Sequence, residues 1–376
     1  MTGNFDAAAP VELAMTELFT PLQVGRYELG NRVTMAALTR SRAGETGVPT
    51  QLHAQYYSQR ASAGLVVTEG VFPAVSCRAF PGQGGIGNDA QQQGWTQVAE
   101  AVHAAGGTIF MQIMHGGRLS LPGLLEGAQP EAPSAIAPEG VSLRDFEGRK
   151  EVGIPRALEE SEIPRVIESF RAAARRAIDA GIDGVEIHGA NGYLLHQFLA
   201  PAANRRTDGY GGSPQARYRL VEEILRAVAG EIGADRVGLR LSPEHNIQAL
   251  IENDRADVLA TYGGLIDAVA DMGLAYISIL HADPAGELVE ELSLRARANG
   301  RTKVIINRGF GEPTSFESAQ ELQALPYVDA VAVGRNFIAN PDLTRRWQEG
   351  LELNEPDPQT FYTPGPEGYT DYPVHP

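Results

Sequence analysis

An imidazole, a carboxamide and a phenol fall within six residues of one another in the stretch Gly184-Val-Glu-Ile-His188-Gly-Ala-Asn191-Gly-Tyr193. His188 and Asn191 can both donate hydrogen bonds to one oxygen. Tyr193, with an ordinary pKa of about 10, is a proton donor rather than a base at neutral pH. Two donors beside a weak acid suit a reaction in which negative charge builds on a carbonyl or nitro oxygen. Residues 183–187 read as a short buried strand whose apolar run stops at His188, and Gly189 and Gly192 then open a loop where the three groups can converge. Alone, the same residues also fit a core histidine, a capping asparagine and a packed tyrosine. The rest of the chain has to decide between the two.

Bringing such groups together needs a scaffold whose strands end on one side. From residue 32 the chain alternates strand and helix. Strands are expected at 32–38, 65–71, 108–113, 183–187, 236–241, 275–279, 303–306 and 329–333. Helices are expected at 51–63, 92–105, 161–180, 213–232, 255–272, 287–298, 315–324 and 341–349. Eight such units imply a parallel sheet closed into a single (β/α)8 TIM barrel, an α/β fold. A doubly wound open sheet is the rival, but no Gly-x-Gly-x-x-Gly follows an early strand. Residues 1–18 read as a loose arm, and 19–376 as one domain. A hairpin at 24–31 would cover one end of the barrel. The Gly- and Pro-rich stretch 116–157, after strand three, breaks the rhythm and reads as an irregular excursion or lid.

In a barrel of this kind the chemistry lies at the C-terminal ends of the strands. Here those ends carry Thr39-Arg40, Glu69-Gly70, Gln112 with His115 close by, His188, Arg240, Asn307-Arg308-Gly309-Phe310 and Gly334-Arg335. The last two groups follow strands seven and eight, where a phosphate is commonly held by backbone N–H groups and a helix N-terminus. Glycine permits close backbone approach and arginine supplies a charged fork. Gln112 and Arg240 interrupt strands of Val, Leu, Phe and Ile. An arginine buried there needs a bound anion, an electron-rich ring or a structural carboxylate.

Composition narrows the field. The 376 residues carry a net charge of −16 and no basic run, which argues against nucleic acid or an anionic membrane as partner. Cys77 is the single cysteine, so a disulfide framework and a thiolate metal cluster are excluded and a reducing, cytoplasmic setting is expected. The chain has no apolar stretch long enough to span a bilayer, and its first residues lack a secretory pattern.

With these residues in place, the chain resembles the old yellow enzyme family of flavin-dependent ene-reductases from about Leu18 to Tyr372. The resemblance rests on Leu18-Phe-Thr-Pro-Leu, Met35-Ala-Ala-Leu-Thr39-Arg40, Gln112-Ile-Met-His115-Gly-Gly-Arg118 and His188-Gly-Ala-Asn191-Gly-Tyr193. Asn204-Arg-Arg-Thr-Asp208-Gly-Tyr-Gly-Gly-Ser213, Arg240-Leu-Ser-Pro243, Gly334-Arg335 and Glu367-Gly-Tyr-Thr-Asp-Tyr372 complete it. It implies one non-covalent FMN at the top of the barrel. Ala37, Leu38 and Thr39 would line the isoalloxazine, Gly70 would lie against it, and Gln112 would bond the pyrimidine edge. Arg240 would sit near N1, and Gly309, Gly334 and Arg335 would hold the phosphate. His188 and Asn191 would bind the substrate oxygen and Tyr193 would be the proton donor. Tyr362 matches an aromatic at the pocket mouth; Phe80, Met114 and Gln248 match pocket positions.

The implied reaction is NAD(P)H oxidation, with NADPH favoured over NADH, coupled to reduction of an activated alkene. Unsaturated carbonyls, nitroalkenes and maleimides are the implied acceptors, with nitro compounds and quinones as further ones. Hydride passes through flavin N5 to the β-carbon and Tyr193 protonates the α-carbon. One pocket serving both substrates in turn implies ping-pong kinetics. No metal is implied, and the protein would be a monomer or a homodimer. Ala37 replaces the usual Pro, Met114 a common Trp, and His196 the more familiar Asp; Asn191 stands where some members have a second His. A phosphate-binding barrel lyase or isomerase without flavin is the alternative. It would need a Schiff-base lysine or a catalytic carboxylate at a strand end, for which only Glu69 is available.

Overall fold

A computed structural model describes residues 17–376. Eight parallel strands close into a barrel. They are β1 (Val33–Met35), β2 (Leu65–Val67), β3 (Ile109–Ile113), β4 (Gly184–Gly189), β5 (Val237–Leu241), β6 (Tyr276–Leu280), β7 (Lys303–Asn307) and β8 (Ala330–Val333). Each pairs with the next, and β8 pairs with β1 to close the ring. The α/β barrel expected from the strand–helix rhythm is the fold observed.

Period-two alternation divides the strand side chains between two cores. Met111, Ile113, Val185, Ile187, Leu239 and Ile277 pack outward against helical residues such as Phe170, Leu220, Ile224 and Leu265. Leu65, Val67, Phe110, Tyr276, Ile305, Ala330 and Ala332 face the barrel axis. The antiparallel hairpin of Leu22–Val24 and Tyr27–Leu29 seals the bottom, adding Leu22, Val24 and Leu29 to that inner cluster. The alternation then delivers Gln112, Glu186, His188 and Arg240 to the inside, above the apolar floor.

The structure corrects several expected boundaries. Strand two stops at Val67 and rejoins the sheet only through a single bridge from Val71 to Ile113. The short helices Leu194–Leu199 and Arg335–Ala339 had no counterpart among the expected elements, since one or two turns leave no periodicity to read. The excursion 116–157 is not wholly irregular: Ser142–Asp145 pairs with Gly148–Glu151, and Glu131–Ala132 pairs with Arg156–Ala157. The expected arm lies outside the described residues up to residue 16. Its end does not belong to an arm, because Leu18 is fully buried in the outer core. No helix among the described residues is long and apolar enough to cross a membrane.

A further departure concerns Arg40, which spacing placed at a chemical strand end. It is fully buried and donates to the Tyr56 hydroxyl at 3.0 Å and to the Gly368 and Phe361 carbonyls at 2.7 and 3.2 Å. Arg42 donates to the carbonyls of Thr360, Phe361, Gly365 and Glu367. Tyr369, fully buried, stacks on Tyr56 at 4.1 Å with both guanidiniums over its ring. The two arginines thus clamp the C-terminal segment across the barrel top, and with it Tyr362. Replacing Tyr369 by Ala should cost about 3–5 kcal/mol in chemical denaturation. Tyr369→Phe should cost little, because the hydroxyl has no hydrogen-bond partner among the described residues. A large loss in Tyr369→Phe would show that the hydroxyl is bound after all.

Candidate active site

His188 is the penultimate residue of strand β4 and lies opposite Arg240 of β5 in the register. The loop beyond it is tightly determined. Asn191 and Gly192 both adopt positive φ, at 58° and 84°. The Asn191 N–H donates to Ser242 Oγ at 2.9 Å, and the Gly192 N–H to His196 Nδ1 at 3.0 Å. Tyr193 then caps the helix Leu194–Leu199, whose first N–H donates to the His115 carbonyl at 3.0 Å. The Tyr193 ring lies 5.2 Å from the His188 ring and 6.0 Å, edge-on, from that of Phe80. Met114, Ala79 and Leu119 pack around Tyr193.

Burial sets the protonation of this group. It pushes His188 well below its usual range, with Arg240 and His196 adding to the effect, so the imidazole is neutral. It pushes the Tyr193 hydroxyl up, opposed by a hydrogen bond with Gln248 and reinforced by Tyr362, so the phenol keeps its proton. At this end of β4 and β5, the buried His188 Nδ1, Asn191 Oδ1 and Arg240 Nε have no partners among the described residues. Orphaned groups of this kind are costly unless a ligand completes them.

Beneath them, Glu186 was missed at the level of sequence. It lies two residues before His188 and so shares its inward face; that spacing was the available signal. Its Oε1 accepts from Gln112 Nε2 at 2.7 Å and its Oε2 from the Tyr276 hydroxyl at 2.9 Å. Gln112 was expected to be free for a ligand edge, yet its amide is half committed to Glu186. Gly70 lies directly above: a Cβ there would come within 2.8 Å of Met114 Sδ and 3.2 Å of Gln112 Oε1. Met114 and Gln112 thus fill the space beside Gly70, and the position admits no side chain.

The remaining expected positions gather where β7, β8 and β1 end side by side. Ala37, Leu38 and Thr39 are half-buried. Asn307 ties the corner, donating to the Ala332 carbonyl at 2.8 Å and accepting from the Gly309 N–H at 3.0 Å. Gly334 caps the helix Arg335–Ala339, and Arg335 donates to the carbonyls of Phe310 and Gly311. The Gly309 N–H and one Arg335 nitrogen are thus engaged, and the donors left for a phosphate are the helix start at Gly334 and the rest of the Arg335 guanidinium. With the unpartnered Arg240 Nε and the Gln112 carbonyl beneath, the residues present fit an FMN.

Gln248 and Tyr362 complete the mouth. The Gln248 side chain donates to the Asn191 carbonyl at 3.2 Å from a backbone φ of 56°, and Tyr362 is 65% exposed. Two groups at strand ends turn elsewhere. Glu69 accepts from the Arg40 and Ser41 N–H groups, and burial pushes it up to about 7. Burial works against a charge on His115, but Cys77 and Glu131 outweigh it and carry the imidazole up to about 9, on the side of the excursion.

Residues 17–354 match the sequence profile of the NADH:flavin oxidoreductase / NADH oxidase family. A probable flavin mononucleotide-dependent alkene reductase of Leishmania infantum is 39% identical over 370 residues, covering 95% of this chain and 97% of that protein. Morphinone reductase solved with tetrahydroNAD is 43% identical with a TM-score of 0.88, covering 96% of this chain and 98% of that one. The old yellow enzyme homologue of Zymomonas mobilis is 37% identical, also with a TM-score of 0.88, covering 96% and 100%.

His188→Ala should weaken binding of enones and phenols far more than binding of FMN, measured by titrating each against the purified protein. Equal loss of both would place His188 in the scaffold. Because the imidazole is held neutral, 2-cyclohexenone affinity should show no inflection near pH 6.5, the ordinary histidine value. An inflection there that His188→Ala abolishes would mean the site titrates.

Proposed function

This chain belongs to the old yellow enzyme family of FMN-dependent ene-reductases, and from that premise we propose how its residues divide the work. The protein is an NAD(P)H-dependent flavin oxidoreductase that reduces activated alkenes. When bound, FMN would supply the redox chemistry, carrying hydride between the nicotinamide and the alkene.

In our reading Gln112 meets the pyrimidine edge and Arg240 the N1 side, Ala37–Thr39 and Gly70 line the ring, and Gly309, Gly334 and Arg335 take the phosphate. His188 and Asn191 donate to the carbonyl or nitro oxygen of the substrate, favouring the negative charge that develops there. Neutral Tyr193 delivers a proton to the α-carbon and is reprotonated through the mouth beside Tyr362. Phe80, Met114 and Gln248 form the walls that choose among unsaturated carbonyls, nitroalkenes and maleimides. The observation that carries this reading is the unpartnered ring nitrogen of buried His188, 5.2 Å ring to ring from a phenol held in its protonated form.

We take the nicotinamide and the alkene to use this one pocket in turn, which gives ping-pong kinetics, with NADPH put ahead of NADH. The single cysteine and the net charge of −16 support a reducing, cytoplasmic location without nucleic acid as partner. The alternative, a flavin-free lyase or isomerase, finds no support in the relatives. Its one candidate carboxylate, Glu69, is occupied by backbone N–H groups.

An anaerobic visible spectrum tests the central reading: the flavin band should bleach with NADPH and return with 2-cyclohexenone. A protein that shows no flavin band after incubation with FMN would defeat it. Tyr193→Phe should leave the NADPH step intact and slow the enone step by about 10²-fold or more. Quinone reduction, which needs no carbon protonation, should be spared. Equal slowing of enone and quinone would remove Tyr193 from the proton-donor role.

A further inference from the structure

The catalytic layer at the barrel top rests on a buried polar layer that has no task in the reaction described above. Glu186 is its centre, 2% exposed, with both oxygens engaged. Tyr276 reaches it from β6 by crossing over β5, and the crossing depends on Gly238, where a Cβ would come within 2.3 Å of the tyrosine ring. The tyrosine hydroxyl is therefore delivered to the carboxylate by the packing of three adjacent strands.

This arrangement decides which way the Gln112 amide faces. Burial raises the Glu186 carboxyl, while Arg240, Gln112 and Tyr276 favour its ionised form; as an ionised acceptor it requires the amide to turn its NH2 toward it, as observed. The reverse orientation would set two oxygens against each other in a buried site. Its carbonyl Oε1 is then left on the Gly70 side, where a Cβ would meet it at 3.2 Å. What Gln112 offers a ligand is consequently an acceptor, which selects an N–H group such as the imide N–H of the flavin pyrimidine edge.

Arg240 supplies an independent observation. It is 4% exposed, and its Nε has no partner among the described residues. Burial works against the charge on Arg240 and lowers its pKa, Glu186 opposes this through space, yet both Glu186 oxygens are held by neutral donors. The carboxylate thus offsets the arginine field without capturing the guanidinium, which stays available to an electron-rich ring.

We propose that Glu186 is a positioning residue for the flavin: it fixes Gln112 as a hydrogen-bond acceptor and tempers the positive field of Arg240. It thereby sets both how tightly FMN is held and how readily the bound FMN is reduced. The proposal rests on the placement of FMN over Gln112 and Arg240 given above.

Two substitutions separate the effects. Glu186→Gln keeps an acceptor for Gln112 but removes the charge. The flavin midpoint potential, measured by equilibration with a reference dye, should rise, while the FMN dissociation constant stays close to that of the wild type. Glu186→Leu removes the acceptor as well, and should also weaken FMN binding to the apoprotein by about tenfold, the worth of one lost hydrogen bond. Circular dichroism and thermal melting check that each variant is folded. Should the leucine variant fail to fold, Tyr276→Phe takes its place: by removing one donor that stabilises the carboxylate, it should raise the potential less than Glu186→Gln does. Folded variants with wild-type potential and wild-type FMN affinity would reduce Glu186 to core filling. A wild type that takes up no FMN would remove the flavin placement and this proposal together, an outcome distinct from unchanged variants of a protein that does bind it.

Discussion

A buried arginine without a contacting carboxylate is the constraint from which most of the site follows. Arg240 stands beside His188 in the β4–β5 register, and its charge helps to keep that imidazole neutral. A neutral histidine can donate one hydrogen bond to a substrate oxygen without adding a second positive charge to the pocket. The desolvation of the guanidinium is tolerable because a carboxylate lies nearby and because a ligand can supply electron density. The barrel makes this pairing possible: neighbouring parallel strands present side chains in fixed layers, and the apolar floor below keeps water from relaxing them.

The loops above are braced by other buried polar groups. His196 accepts the Gly192 N–H with one ring nitrogen, and its Nε2 lies 3.3 Å from Glu252. Glu252 in turn accepts from the Tyr262 hydroxyl and from the Glu244 N–H, each at 2.9 Å. The loop after β4 is thereby tied to the loop after β5. Arg118 adds a bond to the Ala249 carbonyl at 3.0 Å, next to Gln248, and both of those residues hold positive φ. Two successive non-glycine residues in that region are strained and need such bracing. His196 is thus part of a brace that ties the two loops together.

The barrel was legible in the sequence because its strands are short branched-aliphatic runs that stop at a polar residue. The same feature marked His188, Gln112 and Arg240. Glu186 escaped because it was read as part of the apolar run leading to His188, although its spacing gave it the same face. The hairpin in the excursion, Ser-Leu-Arg-Asp against Gly-Arg-Lys-Glu, carries no hydrophobic alternation, so its charges read as loop. Arg40 was misassigned for a different reason. Local spacing places a residue near a strand end but cannot reveal that a segment more than three hundred residues later will cover it, as the bond to Gly368 across 328 positions does.

That long reach has a bearing on how the molecule is assembled. The clamp made by Arg40 and Arg42 joins nearly the first barrel strand to the segment that follows the last one. Contacts of such sequence separation carry a high loop-closure cost and slow folding. The rim carrying Tyr362 is completed only when the C-terminal segment docks on Tyr56. The mouth of the pocket is thus closed by a segment outside the barrel's own strands and helices, held there by Arg40, Arg42 and Tyr369.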